Sequence, residues 1–172
     1  MTAKAKPLAK ILVRDIMRTD VVKLDPAMPL EEAVASFAEL HISGAPVVDR
    51  AGRLVGVLSD FDIAKPENMR DGSVTPRSNE YALGDASPDD DGSYDGEVVF
   101  SMEDYSPEVL RRGTVSDLMS NEVICVSPDA PLKDVCATMV KEHIHRVMVT
   151  EETKLVGIVT SLDVVRCVAT AL

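Results

Sequence analysis

Apolar residues recur three and four positions apart at Leu30, Ala33, Val34, Phe37 and Ala38, and again at Leu132, Val135, Cys136, Met139 and Val140. That spacing predicts two amphipathic helices, each with one face turned to a core. Brief apolar runs precede them, Val21-Val22-Lys23-Leu24 and Val123-Ile124-Cys125-Val126, each stopped by a proline, Pro26 or Pro128, as short strands are. After the first helix, Val47-Val48, the turn residues Asp49 to Gly52, and Leu54-Val55-Gly56-Val57-Leu58 predict a hairpin. After the second, Val147 to Val149, a tighter Glu151-Glu152-Thr153-Lys154 turn and Leu155 to Val159 predict another. Leu162, Val164, Val165, Cys167, Val168 and Leu172 read as a closing helix, and Pro66 cuts its counterpart short.

The two sets of elements are copies of one another. A shift of 102 residues lays Val13-Arg14-Asp15-Ile16-Met17 on Val115-Ser116-Asp117-Leu118-Met119, Pro26 on Pro128, Pro29 on Pro131, Leu30 on Leu132, Ala35 on Ala137 and His41-Ile42 on His143-Ile144. One residue is then lost in a turn, and at a shift of 101 Leu54-Val55-Gly56 falls on Leu155-Val156-Gly157 and Asp62 on Asp163. The expected organisation is a first repeat over 11–65, an insert or linker over 66–112 and a second repeat over 113–170. A unit of this size has difficulty burying two helices alone, so the copies are expected to pack as one module. Each hairpin ends in Gly-apolar-apolar-Ser/Thr-x-x-Asp. Ser59 and Thr160 thus stand where a strand gives way to a helix and are N-cap candidates, and Asp62 and Asp163 are first-turn charges.

Charge separates the insert from the repeats. The chain has 172 residues, 45% of them hydrophobic, with 29 acidic against 18 basic residues and a net charge of -11. Residues 66–110 hold 12 of the acids and two bases, Arg70 and Arg77, so nearly all the excess lies there. Its acidic, Gly- and Pro-containing composition predicts mobility over most of 70–95, although Tyr81, Tyr94, Phe100 and Tyr105 offer something to pack. An acidic chain is poorly suited to nucleic acid or an anionic membrane, and no run approaches the roughly 20 apolar residues of a membrane span. Cys125, Cys136 and Cys167 have no Cys-x-x-Cys spacing, which argues against zinc, and the apolar runs that hold two of them predict buried, inert thiols. His41 and His143, at equivalent helix ends, are expected to serve helix termination. Asp89-Asp90-Asp91 reads as a solvated charge run rather than a metal site. No nucleophile has a neighbouring base and no Gly-rich phosphate loop occurs, so catalytic residues are expected to be absent.

The paired Val-x-Asp-Ile/Leu-Met openings, the paired Gly-x-x-Ser/Thr-x-x-Asp closures and Gly44-Ala45-Pro46-Val47-Val48-Asp49 before the first hairpin turn resemble a tandem pair of cystathionine β-synthase (CBS) domains, a Bateman module. The resemblance covers about 11–65 and 113–170. It implies an α/β (α+β) fold of two pseudo-twofold-related β-α-β-β-α repeats, with inter-repeat clefts for adenosine-containing ligands such as AMP, ADP, ATP or S-adenosylmethionine. By position it implies that Asp62 and Asp163 accept hydrogen bonds from ribose hydroxyls, with Ser59 and Thr160 beside the phosphates. A carboxylate suits two cis-hydroxyls, and a hydroxyl at a helix N-terminus adds to amides already disposed to an anion. Helix capping alone explains the same four residues. His145 and Arg146 match a His-Arg pair that nucleotide-binding members use toward phosphate oxygens, a task to which the planar guanidinium fork is suited. The first copy has Ser43-Gly44 there, so the two sites are expected to be unequal. Thr114 matches a Thr placed near the ligand, and its equivalent is Leu12.

The resulting expectation is a cytoplasmic, non-enzymatic regulatory module that binds an adenosine-containing ligand and modulates a partner protein. It uses no cofactor and no metal, and it forms a homodimer through the helices around Leu30 to Leu40 and Leu132 to Val140. The alternative is a ligand-independent interaction module, for example a regulator of a redox enzyme.

Overall fold

A computed structural model of the chain describes residues 10–65, 77–78, 98–99 and 106–171. The polypeptide divides into two compact units that do not coincide with the two sequence repeats. The first unit contains Lys23–Asp49 and Val55–Asn121, and the second contains Met1–Val22, Arg50–Leu54 and Glu122–Leu172.

In the first unit, helix α1 spans Leu30–Leu40. It begins after Pro29 with Glu31 and Glu32 in the first turn, where carboxylates complement the helix dipole. It buries Leu30, Ala33, Val34 and Phe37, the face that the spacing predicts. His41 ends it in a left-handed conformation (φ 51°) with its N–H donating to the Phe37 carbonyl, the terminating role expected of this residue. The hairpin follows as β1, Gly44–Val48, and β2, Leu54–Ser59, and a four-residue helix α2, Asp60–Ile63, closes it. Of the strand expected over 21–24, Leu24 alone joins the sheet, as a parallel bridge to Val47 with the Leu24 N–H on the Pro46 carbonyl at 2.9 Å. Residues β3, Arg77–Ser78, and β4, Val98–Val99, pair antiparallel inside the acidic segment. The mobility expected for 70–95 and the acidic triplet fall otherwise outside the described residues.

The end of that segment is helical. Ser106 precedes α3, Pro107–Arg112, and its Leu110 reaches the core formed by Leu24, Leu30, Phe37, Val47, Leu58, Ile63 and Val115. Burial of side chains of this size contributes about 1.5–3 kcal/mol each, so α3 compensates in part for the truncated α2.

The second unit repeats the plan with a longer last helix. Strand β5, Cys125–Val126, runs parallel to β6, Arg146–Glu151, which pairs antiparallel with β7, Lys154–Thr160. The tight turn brings Glu151 opposite Lys154, with Glu152 at φ 56°. Helix α5, Leu132–Lys141, buries Leu132, Val135 and Met139. His143 is again left-handed at its end (φ 50°). Helix α6 spans Ser161–Ala171. Val13, Val135, Met139, Val147, Val149 and Val159 form the core.

The opening segments are crossed between units. Val13–Asp15, a single 3-10 turn from the start of the first copy, belongs to the second unit: Val13 N–H donates to the Ala130 carbonyl at 3.0 Å, and Arg18 and Ile158 exchange backbone bonds at 2.9 and 3.0 Å. Reciprocally α4, Val115–Leu118, from the second copy lies in the first unit, with Val115 N–H on the Met28 carbonyl and Ser120 exchanging bonds with Val57, all at 2.9 Å. The glycines of the two hairpins permit this approach. A Cβ on Gly56 would stand 2.8 Å from Met119 Sδ and 2.9 Å from the Ser120 carbonyl, and one on Gly157 would stand 2.9 Å from the Arg18 carbonyl and 3.0 Å from Met17 Sδ. Side chains there would collide with backbone, which cannot swing away.

The cysteines depart from expectation. Cys125 is exposed, and Cys136 and Cys167 are half-buried. Their apolar neighbours fill the core, whereas the thiols lie at its border, so apolar context in sequence overstated their burial. Among the described residues no helix is long and apolar enough to cross a membrane, and no cluster of His, Cys, Asp or Glu is disposed to hold a metal ion.

Candidate ligand sites at the strand-to-helix turns

Both closures fold into the same capping box. Asp62 Oδ2 accepts from the Ser59 N–H at 2.9 Å and from Ser59 Oγ at 2.6 Å, while the Asp62 N–H donates to Ser59 Oγ at 3.4 Å. Asp163 Oδ2 accepts from the Thr160 N–H at 3.0 Å and from Thr160 Oγ1 at 2.6 Å, and its own N–H donates to Thr160 Oγ1 at 3.2 Å. Two otherwise orphaned donors of each helix start are thereby satisfied, and one carboxylate oxygen is fixed in direction. The capping role is therefore present at all four residues. Each hydroxyl spends its proton on the aspartate and keeps acceptor capacity only.

The openings use the carboxylate half of this device, which the sequence pattern alone did not reveal. The Asp15 carboxylate accepts from the Leu12 N–H at 2.8 Å. Asp117 Oδ2 accepts from the Thr114 N–H at 2.7 Å and from Thr114 Oγ1 at 2.8 Å. The Thr114 amide, and after it the hydroxyl, hold the Asp117 carboxyl below the usual carboxylate range. The invariant element of the two openings, an aspartate three residues after the first docked position, was the available signal.

The second unit gathers four of the sequence-predicted residues. Arg146 stands directly opposite Thr160 in the β6–β7 ladder, and the His145 carbonyl accepts from the Ser161 N–H at 2.9 Å at the start of α6. Asp163 is 7% exposed, the single buried charged residue among those described. Its Oδ1 faces Arg166 Nη1 at 3.5 Å, a long pair whose guanidinium end is solvated. Arg166 thus faces the oriented carboxylate, while Arg146 and His145 adjoin its turn through the strand ladder and the backbone.

The first unit holds Ser59 and Asp62 in equivalent places. The Ser43 carbonyl accepts from the Asp60 N–H at 3.1 Å, just as His145 does from Ser161. Position 44 cannot carry the counterpart of Arg146 without movement, because a Cβ there would lie 2.8 Å from the Leu58 carbonyl and 3.0 Å from Ser59 Cα. Asp60 adds a second carboxylate in the first turn where the second unit has Ser161. Thr114, just ahead of the second copy in sequence, lies in the first unit, bridged to Pro29, and Leu12 takes the matching place against Pro131 in the second.

The CBS domain family model matches residues 13–66 and 115–170, so the chain belongs to the CBS domain family and carries two copies of its domain. The uncharacterized protein MJ1426 of Methanocaldococcus jannaschii is 30% identical over 158 residues, 90% of this chain and 89% of that protein. Two other relatives from that organism are longer, and the chain spans 41% of each. Among solved structures, the CBS domain pair of MJ0100 in complex with 5'-methylthioadenosine and S-adenosyl-L-methionine is similar at a TM-score of 0.62, with 23% identity, 94% of this chain and 98% of that one covered. CBSX2 in complex with AMP is similar at a TM-score of 0.63, with 22% identity, 92% and 96% covered. The fold is that of a CBS pair, of mixed α and β structure, as the repeat and its motifs lead one to expect.

Proposed function

We propose that the protein is a regulatory module that binds adenosine-containing ligands at the Ser59–Asp62 and Thr160–Asp163 turns and acts on a partner protein. The observation that carries this reading is the pair of carboxylates held in fixed orientation by capping boxes at the ends of β2 and β7. A fixed carboxylate is a ready acceptor for ribose hydroxyls, because its orientation costs nothing further on binding. Two structures of the same fold hold AMP in one case, and 5'-methylthioadenosine with S-adenosyl-L-methionine in the other. Regulation would follow from differential binding, the ligand stabilising one conformation that the partner distinguishes.

The two sites differ in the ligand they favour. Arg146, opposite Thr160, and His145 serve phosphate oxygens in the second unit, while the first, with Gly44 and the extra Asp60, favours ligands with little or no phosphate. Thr114 contributes to the first unit's site. Self-association into a homodimer uses the outer faces of α1 and α5, where Leu40 and Val140 are 48% and 76% exposed. The module works in the cytoplasm and carries out no catalysis itself.

A thermal-shift panel of AMP, ADP, ATP, S-adenosylmethionine and NAD tests the reading. Binding to the native state raises the unfolding midpoint with concentration, by about 2.7 kcal/mol of stability at 100 times Kd. At least one adenosine compound is expected to do so, and indifference to all of them would favour the ligand-independent interaction module.

A further inference from the structure

Two of the three cysteines lie on neighbouring helices of one unit. On α6 the inward positions are Asp163, which is buried, and Val164, which packs on the core, and Cys167 follows them by four and three residues on the same face. On α5 the buried stripe is Leu132, Val135 and Met139, and Cys136 lies four residues after the first and three before the last, on its flank. The two helices pack against each other. Both thiols are half-buried, so each retains contact with solvent. Burial raises the Cys136 pKa, its own backbone hydrogen bond opposes this, and the Cys167 charge raises it again, in keeping with two thiols on adjoining helices. Cys125 stands apart on β5, exposed, its thiol directed to the Val123 carbonyl at 3.6 Å.

From this arrangement we infer that Cys136 and Cys167 form an oxidation site, a reversible disulfide that ties α6 to α5. The oxidant is a hydroperoxide. The thiolate of one cysteine attacks the distal peroxide oxygen, forming an S–O bond as the O–O bond breaks, and the departing alkoxide or hydroxide takes a proton. The second thiolate attacks the resulting sulfenic sulfur, the S–S bond forms, and hydroxide leaves as water. The two thiols together lose two electrons and two protons, and the hydroperoxide is reduced to an alcohol, or water, and water. A dithiol reverses the bond by exchange. The bond would restrain the helix whose first turn holds Asp163, and this inference stands independently of what that residue binds.

The test treats the full-length reduced protein with hydrogen peroxide, quenches it with an alkylating agent and digests it with trypsin. The expected product is peptide 134–141 joined to peptide 167–172, lighter than their sum by two hydrogens, with Cys125 alkylated. The unfolding midpoint of the oxidised protein should rise by at least about 5 °C and return with dithiothreitol. Cys125→Ser should retain the linked peptide and Cys136→Ser and Cys167→Ser should each abolish it. Oxidation that yields only sulfinic products, or links only through Cys125 between molecules, would overturn the assignment.

Discussion

The turns at Ser59 and Thr160 share one backbone solution and stand in opposite chemical surroundings. Each aspartate receives the amide and hydroxyl of the residue three before it, and the oxygen distances from hydroxyl to carboxylate are both 2.6 Å. Around Thr160 the neighbouring strand supplies Arg146, whereas around Ser59 it supplies Gly44, against which the Leu58 carbonyl closes to within 2.8 Å of any added Cβ. The second unit continues into an 11-residue helix, and the first stops after four and fills its core with Leu110 from α3. Both copies keep the device that orients a carboxylate, because capping serves the start of each helix. The charge beside it is not required for the fold and is free to diverge.

The largest expected effect separates the units by their crossed openings. Val115 and Val13 are both fully buried, each in the core of the unit that houses the other copy's helix and hairpin. Val115→Ala and Val13→Ala should each cost about 2–3 kcal/mol, two buried methyl groups plus the residual cavity, in denaturant unfolding. Hydrogen exchange then reads the destination: Val115→Ala should lower protection in α1 and β2, and Val13→Ala in α5 and β7. Loss of protection confined to the mutated copy's own hairpin would contradict the crossing.

A smaller effect lies in the opening caps, where Thr114 offers Asp117 both an amide and a hydroxyl and Leu12 offers Asp15 an amide. The Asp117 carboxyl is lowered in the folded protein, so the stability it contributes is complete above the unfolded carboxylate value, about 3.9, and is lost as pH falls through the folded value. The melting temperature of Asp117→Asn should therefore fall below that of the parent at neutral pH and converge with it on acidification below about pH 4. A difference that persists unchanged into strong acid would assign the effect to packing.

The helices and hairpins were legible because their cores impose periods of 3.6 and two on Leu30 to Ala38 and Leu54 to Leu58, and the copies confirm one another. The histidine ends were legible because position and residue type agreed. The crossing was not, since Val13-Arg14-Asp15 carries no mark of which hairpin it will bind when the two hairpins are themselves alike. The strand at 21–24 failed because Leu24 alone finds partners, on Pro46 and Val48. Helix α3 did carry a signal, Ser106-Pro107-Glu108, a start with proline at the first helical position, obscured by the acidic composition around it. Of the candidate site, the residue types and spacing were readable, but the assignment of Thr114 to the first unit depends on the crossing and so was not.

The inequality of the two sites is tested most directly by titration calorimetry of ATP and adenosine against the parent and Arg146→Ala. The account predicts that Arg146→Ala weakens ATP by about 1.5–3 kcal/mol, the worth of a charge-assisted hydrogen bond, and leaves adenosine unchanged, whereas Asp163→Ala weakens both alike. Equal losses for ATP and adenosine in Arg146→Ala would contradict it.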